Sequence, residues 1–228
     1  IERWTWVKLQ RRLEQVSVDV VGLSAMTPMW DVICRASQMA RPFTKWLIVG
    51  GPHPTAVKHE IFEDNPYLDA GVVGEGEEVV VELLQWFQDG RAGSIPAGVL
   101  VPGLPFQEAS APKISSIGRP ARHLLDNRRY RYPLAGQRNV GTMITSRGCP
   151  FRCSFCDKSV GGSRWRARSA VDVVDEMETL QKENIGFINF YDDNFIIYGN
   201  LPYNISTQIL AFWCLSKKIK FKKLILMF

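Results

Sequence analysis

Short apolar runs alternate with amphipathic stretches over the first ninety residues. Three runs rich in β-branched residues each predict a buried strand, at residues 18–24, 46–51 and 70–73. Each run is followed by residues with helical spacing. These predict a first helix over residues 30–41, a second that follows the run 46–51 and ends near residue 65, and a third over residues 77–89. Strands that alternate with helices favour right-handed crossovers and a parallel sheet. The pattern therefore predicts a doubly wound α/β domain.

Three unusual loops follow the predicted strands. In such sheets, ligands bind at the carboxyl ends of the strands, and glycine there lets the backbone approach a bulky ligand closely. The candidate binding residues in these loops are Ser24, Thr27, Gly50, Gly51, Gly74, Glu75 and Gly76. Each loop taken alone is also typical of ordinary turn chemistry. Their occurrence after three successive strands favours a ligand site.

A connector separates this domain from a second pattern. Residues 90–120 contain five Gly and five Pro, too many for a helix or a central strand. Six arginines follow between residues 119 and 138, and their pattern is typical of a solvated surface, with phosphate binding as the alternative.

The second pattern consists of a strand, a loop, a helix and a strand. Strands are predicted over residues 140–146 and 187–191, and a helix over residues 170–183. Ser169 and Asp172 have the spacing of a capping box at the start of this helix. This order is the opening of a βα barrel, in which active-site loops lie at the carboxyl ends of the strands.

The charges are unevenly distributed. The chain has 28 Lys and Arg against 23 Asp and Glu, and the whole excess belongs to the last 33 residues, which contain five Lys and no acidic residue. The remainder is electrically balanced, which argues against nucleic-acid binding through net charge. The chain lacks an apolar run near the ~20 residues of a membrane helix, so no membrane partner is expected.

Three of the five cysteines lie within eight residues, at Cys149, Cys153 and Cys156. Such a cluster predicts a metal site in a reducing compartment, the cytoplasm, rather than a disulfide framework. Cys34 and Cys214 stand alone in apolar stretches and are interpreted as inert thiols.

The spacing Cys-x3-Cys-x2-Cys suits an iron-sulfur cubane. Three thiolates can hold three of its irons and leave the fourth open to a substrate or a second cofactor. Structural zinc is the alternative, but it requires four ligands. The candidates for a fourth ligand are His123, Cys34 and Cys214, and none has a usual spacing.

These residues resemble a known family. The context TSRGCPFRCSFCD resembles the signature of radical S-adenosylmethionine (radical SAM) enzymes. The upstream segments DVVGLSAMTP, IVGGPHPTA and VVGEGEEVVVELL are similar to the cobalamin-binding domain of one branch of that superfamily. The resemblance covers residues 1–195 and implies two folds. A Rossmann-like, flavodoxin-like domain with its connector is expected over residues 1–118, and a partial TIM-like barrel over residues 119–195.

The resemblance also implies a chemistry. A 4Fe-4S cluster, S-adenosylmethionine and cobalamin are the expected cofactors. In the family, an electron from the cluster cleaves S-adenosylmethionine to a 5′-deoxyadenosyl radical, which attacks an unactivated C–H bond, and cobalamin often delivers a methyl group. The expected partners are a small-molecule substrate and an electron donor such as a flavodoxin or ferredoxin.

Further site residues follow from the resemblance. Phe155 is expected close to the adenine and, with Phe151, to shield the cluster, with loop packing as the alternative. Asp192 and Asp193 are expected to receive the ammonium group of S-adenosylmethionine, with a solvated strand-end turn as the alternative. For His53, a structural role is favoured over axial ligation of cobalt.

The tail, residues 196–228, resembles instead the adenine dimethyltransferases of small-subunit ribosomal RNA. In that family a motif matching Asn200, Pro202 and Tyr203 grips a flipped adenine. RNA is expected as a partner only if this tail functions.

Two resemblances that meet near residue 195 suggest a fusion. The leading expectation is a truncated cobalamin-dependent radical SAM protein, incomplete as a catalyst. The alternatives are a non-catalytic corrinoid or iron-sulfur binding module and a fragment of an rRNA dimethyltransferase.

Overall fold

A computed structural model describes residues 5–131 and 139–195 of the 228-residue chain. This part forms two compact units, one ending at Pro112 and the other beginning at Lys113. Each unit has its own hydrophobic core.

The first unit is a four-stranded sheet with helices between its strands. Its elements are helix α1 (Trp6–Gln15), strand β1 (Val18–Ser24), helix α2 (Trp30–Ala40), strand β2 (Thr44–Gly50), helices α3 (Pro52–Val57) and α4 (Ile61–Asp64), strand β3 (Ala70–Val72), helix α5 (Gly76–Gln88) and strand β4 (Val99–Leu100). The sheet order is β1-β2-β3-β4. The first three strands are parallel, and β4 is antiparallel to β3.

Both faces of the sheet are buried at β2, where successive side chains pack on opposite sides. Leu47 and Val49 pack on one face in a cluster that includes Ile33 of α2. Ile48 points to the opposite face, where it packs in a cluster with Leu83 of α5. Successive strand side chains alternate between faces, so a strand that is apolar at every position needs cover on both sides. Strand β1 was predicted to be buried, but each of its residues is partly or largely exposed.

Three features of the first unit differ from the sequence prediction. The helix expected to end near residue 65 is divided, because Lys58 has a φ of 53°, which does not continue a helix. Strand β4 lies within the Gly- and Pro-rich connector, as an edge strand of two residues. Helix α1 was not predicted; the side chain of Thr5 caps it by accepting the N–H of Lys8.

The second unit contains strand β5 (Val140–Met143), strand β6 (Ser146–Arg147), strand β7 (Arg166–Ala167), helix α6 (Ala170–Lys182) and strand β8 (Phe187–Phe190). Strands β5 and β8 pair in parallel, with Val140 opposite Phe187 and Met143 opposite Phe190. Strands β6 and β7 pair antiparallel. The predicted strand 140–146 is thus divided into β5 and β6.

The start and the buried stripe of α6 agree with the sequence prediction. The Ser169 hydroxyl oxygen accepts the N–H of Asp172 at 3.2 Å. The Asp172 carboxylate pairs with Arg168 at 2.7 Å and Arg119 at 3.0 Å. The hydrogen bond from Arg168 holds the pKa of Asp172 below its usual value. The buried residues of the stripe include Ala170, Val173, Val174, Met177 and Leu180.

A carboxylate also lies on the buried side of α6. Glu176 is 2% exposed. Its carboxylate oxygens lie 2.8 Å from Nη1 of Arg122 and 2.6 Å from Nη1 of Arg168. Arg122 also donates to the carbonyl of Thr142 on β5. The interpretation of the Arg-rich stretch as a solvated surface is wrong for Arg122, whose side chain is 13% exposed.

We expect Glu176→Gln to lower the free energy of unfolding by about 3 kcal/mol, because breaking a buried ion pair leaves uncompensated charge in the core. Urea denaturation measures this change. Asp175→Asn, at an exposed position of the same helix, is the matched control and is expected to stay within about 0.5 kcal/mol of the parent chain. Equal shifts for the two variants would contradict a stabilising role for the cluster.

The longest helices among the described residues, α5 and α6, have 13 residues each. Over the described ranges, no helix has the length and hydrophobicity needed to cross a membrane.

Candidate functional site

The three predicted loops of the first unit meet at the carboxyl ends of β1, β2 and β3. The N–H of Ala25 donates to the carbonyl of Gly50 at 2.8 Å, and the N–H of His53 donates to the carbonyl of Ala25 at 3.0 Å. These two bonds join the loop after β1 to the loop after β2. Ser24 and Thr27 are exposed on either side of Ala25, which is fully buried.

Thr55, which sequence reasoning missed, joins the third loop to the second. Its hydroxyl donates to the carbonyl of Gly51 at 2.8 Å and accepts the N–H of Gly74 at 2.9 Å. The first turn of α3 therefore connects all three loops. The signal in the sequence was a hydroxyl residue four positions after a glycine at a strand end, a spacing at which Ser and Thr bond back to the backbone.

The remaining residues of the third loop lie where the sequence placed them. Glu75 occupies the N-cap position of α5, and Gly76 is the first residue of that helix. Gly74 has a φ of 75°, and a Cβ added to it would meet nothing within 4 Å. The backbone of this loop therefore faces open space at the carboxyl end of β3.

His53 is buried inside this loop cluster, with 6% of its surface exposed. Its Nδ1 lies 3.1 Å from Oγ1 of Thr27, and its ring lies 4.3 Å from the ring of Trp30. Its Nε2 is buried and has no hydrogen-bond partner within the described ranges. The contacts of Nδ1 and of the ring fit the structural role that the sequence favoured, whereas the buried Nε2 makes no hydrogen bond to the described residues that would explain its position.

The loop cluster suits a large polar cofactor. Exposed side chains at Ser24 and Thr27 provide hydroxyl groups, and the open space at Gly74 provides room at one edge of the sheet. A corrinoid carries many amide side chains, which bond to such groups. The residues present fit cobalamin in this respect.

The three clustered cysteines lie on one loop of the second unit, between β6 and β7. Cys149 is partly buried, whereas Cys153 and Cys156 are exposed. The N–H of Cys149 donates to the carbonyl of Gly162 at 3.2 Å, which ties the start of the loop to its end.

The three thiols are not gathered around one point. Over the described residues, no group of three or more His, Cys, Asp or Glu side chains is arranged to hold a metal ion. The loop nevertheless offers three thiols within eight residues, and three thiolates are the donor set of a cubane with one open iron. The residues thus fit the cluster by their chemistry.

The two aromatic side chains between the cysteines are exposed. Phe155 is 91% exposed and Phe151 is 49% exposed. The structure therefore shows neither the shielding of the cysteines nor the loop packing expected of these rings.

The two carboxylates after β8 lie against the start of the cysteine loop. Asp192 accepts three hydrogen bonds from Thr145 and Ser146, and Asp193 accepts the N–H of Gly148. Burial raises the pKa of Asp192, and the bonds from Ser146 and Thr145 oppose this effect. Thr145, Ser146 and Gly148 lie within the quoted motif TSRGCPFRCSFCD, but sequence reasoning assigned them no role.

A cavity of about 580 Å³ lies beside β5 in the second unit. It is lined by Pro120, Arg122, Leu125, Asn127, Arg129, Tyr130, Arg131, Val140, Gly141 and Thr142. None of the predicted site residues lines it.

Asn200, Pro202 and Tyr203, predicted from the tail, lie outside the described residues, as does Cys214.

Two family models match the chain. Residues 4–84 match the B12 binding domain, and residues 143–211 match the radical SAM superfamily. These matches confirm the resemblance stated for residues 1–195. The second match runs through Asn200, Pro202 and Tyr203, and the resemblance of the tail to rRNA dimethyltransferases is unsupported.

Relatives with both patterns are known. An uncharacterized methyltransferase of Pyrococcus horikoshii is 30% identical over 217 residues, covering 91% of this chain and 47% of that protein. The anaerobic magnesium-protoporphyrin IX monomethyl ester cyclase of Cereibacter sphaeroides is 31% identical over 198 residues, covering 82% and 32%. The chain thus spans less than half the length of these relatives.

The fold is shared with a solved structure. The radical S-adenosylmethionine methyltransferase TsrM from Kitasatospora setae, with cobalamin and a 4Fe-4S cluster bound, superposes with a TM-score of 0.67. The alignment has 21% identity and covers 92% of this chain and 43% of TsrM. The prediction of an α/β cobalamin-binding fold followed by the start of a radical SAM barrel is confirmed.

Proposed function

We propose that this chain, which joins a B12 binding domain to a radical SAM domain, is the cofactor-binding part of a cobalamin-dependent radical SAM enzyme. The observation that carries the proposal is the thiol-bearing loop of Cys149, Cys153 and Cys156, near the carboxyl end of the barrel strand β5. The three joined loops of the first unit also support the proposal, because they form a second candidate binding site at the carboxyl ends of parallel strands.

Each unit would hold its own cofactor. Cys149, Cys153 and Cys156 would ligate a 4Fe-4S cluster with one open iron. Ser24 and Thr27 would bond to the polar periphery of cobalamin, and the open space at Gly74 would accommodate it. The chemistry supplied by the bound groups is reductive cleavage of S-adenosylmethionine, followed by methyl transfer or related C–H chemistry.

The partners follow from this chemistry. We propose a small organic substrate and a reducing electron donor such as a flavodoxin or ferredoxin. We also propose a cytoplasmic location, since thiolate ligands must stay reduced until they bind iron.

Anaerobic reconstitution with iron and sulfide tests this function. Electron paramagnetic resonance of the reduced protein is expected to show a cubane signal that shifts when S-adenosylmethionine is added. Gel filtration with hydroxocobalamin is expected to yield a coloured protein. A cluster signal that does not change when S-adenosylmethionine is added, or a chain that retains neither cofactor, would refute the proposal.

A further inference from the structure

Asp192 and Asp193 follow directly after the second strand of the barrel. Strand β8 pairs in parallel with β5, and the N–H of Tyr191 extends the ladder by donating to the carbonyl of Met143 at 2.8 Å. The two carboxylates therefore lie level with residues 145–148, the segment that leads into Cys149.

Asp192 accepts three hydrogen bonds from that segment. Its Oδ1 accepts the N–H groups of Thr145 and Ser146, both at 2.6 Å, and its Oδ2 accepts the hydroxyl of Thr145 at 2.9 Å. Thr145 is 0% exposed and Ser146 is 1% exposed. A carboxylate has about four acceptor positions, so three are already in use. About one acceptor position is left for any other donor.

Asp193 holds the next part of the same segment. Its Oδ2 accepts the N–H of Gly148 at 2.7 Å, directly before Cys149. The same oxygen lies 2.6 Å from the position that a Cβ on Gly161 would occupy, so Asp193 also packs against the far end of the cysteine loop.

Gly148 has little freedom in this position. Its φ is 82°, and an added Cβ would lie 2.3 Å from the carbonyl oxygen of Arg164. The entry and the exit of the cysteine loop are therefore in contact, and Asp193 touches both. A shift of Asp193 would move the backbone that places the Cys149 thiol.

We propose that Asp192 and Asp193 act as positioning residues of the cluster loop rather than as the groups that receive the ammonium of S-adenosylmethionine, because their hydrogen bonds in this structure go to residues 145–148. They fix residues 145–148 and so set where the first ligand thiolate stands. This inference rests on the proposed function, since it assigns a role to residues around the expected cluster.

Asp192→Asn and Asp193→Asn test the proposal, with Asp175→Asn on α6 as the matched control. Each variant is reconstituted anaerobically, and both the loss of cluster in air and the affinity for S-adenosylmethionine are measured. We expect both site variants to lose cluster about tenfold faster than the control, since partners that orient metal ligands change metal retention by that order. The remaining cluster is expected to bind S-adenosylmethionine with unchanged affinity.

The opposite pattern would overturn the inference. If the cluster of both variants is as stable as in the control while affinity for S-adenosylmethionine falls tenfold or more, the carboxylates bind the ammonium group. If Asp192→Asn does not fold, Asp193→Asn decides alone, because it exchanges the charged acceptor of a single backbone N–H for a weaker neutral one.

A parent chain that assembles no cluster would refute the proposed function rather than this inference. Amide hydrogen exchange of the cluster-free protein then tests the positioning role directly. The amide of Gly148 is expected to exchange faster in Asp193→Asn than in the control. Equal exchange would refute the role.

Discussion

Alanine in place of Cys149, Cys153 or Cys156 is expected to abolish cluster assembly, and to the same extent in each of the three variants. Three thiolates hold three irons of a cubane, so the loss of one leaves two irons without a protein ligand. Iron and acid-labile sulfide, measured after anaerobic reconstitution, should fall to background in each variant. Because the thiols stand apart on an exposed loop, these variants should fold like the parent chain.

Cys34→Ala is the matched control for these variants. Cys34 lies on α2 of the other unit, and burial raises the pKa of its thiol, which makes it a poor ligand. It is expected to retain the full cluster. Loss of iron in Cys34→Ala, or a retained cluster in any of the three loop variants, would contradict the ligand assignment. Bound zinc in place of iron would favour the structural-zinc alternative.

The pattern of apolar residues predicted the elements in which those residues are regularly spaced or consecutive. Strand β1 has the predicted bounds, and the buried stripe of α6 contains the predicted residues. The buried positions of α6 other than Glu176 are apolar, so their spacing reveals the helix. The run of apolar β-branched residues reveals β1, although none of its residues is buried. A boundary set by the backbone angle of one residue, such as the break at Lys58, does not change the spacing of apolar residues and could not be predicted from it.

Contacts between charged residues distant in sequence could not be predicted in this way. Glu176 lies on the buried side of α6, yet its charge predicts exposure. It is buried because Arg122 and Arg168 reach it, and nothing in the spacing of these residues indicates the pairing. The same holds for Asp193, whose partner is the backbone of Gly148 rather than a side chain.

Gly51 and Gly74 were predicted on the same ground, as glycines after strands, but their surroundings differ. Gly51 has φ 102° and ψ −170°, a region essentially closed to residues with a side chain. A Cβ there would also lie 2.9 Å from the carbonyl oxygen of Ala25 and 3.2 Å from Oγ of Ser24. Gly74 also has a positive φ, of 75°, but the space around it is open. Gly51 is therefore required because a side chain would not fit there, whereas Gly74 leaves open space that a ligand can enter.

Gly51→Ala is therefore expected to destabilise the chain by about 3 kcal/mol, because backbone strain adds to overlap with fixed backbone atoms. Gly74→Ala is expected to cost only about 1 kcal/mol, the strain of a left-handed alanine, and yet to weaken hydroxocobalamin binding, since its methyl group enters the space left for the ligand. Thermal unfolding and equilibrium binding separate the two effects. If Gly74→Ala binds hydroxocobalamin as tightly as the parent chain, the open backbone at Gly74 does not face the cofactor, and the corrinoid must approach the loop cluster from the side of Ser24 and Thr27.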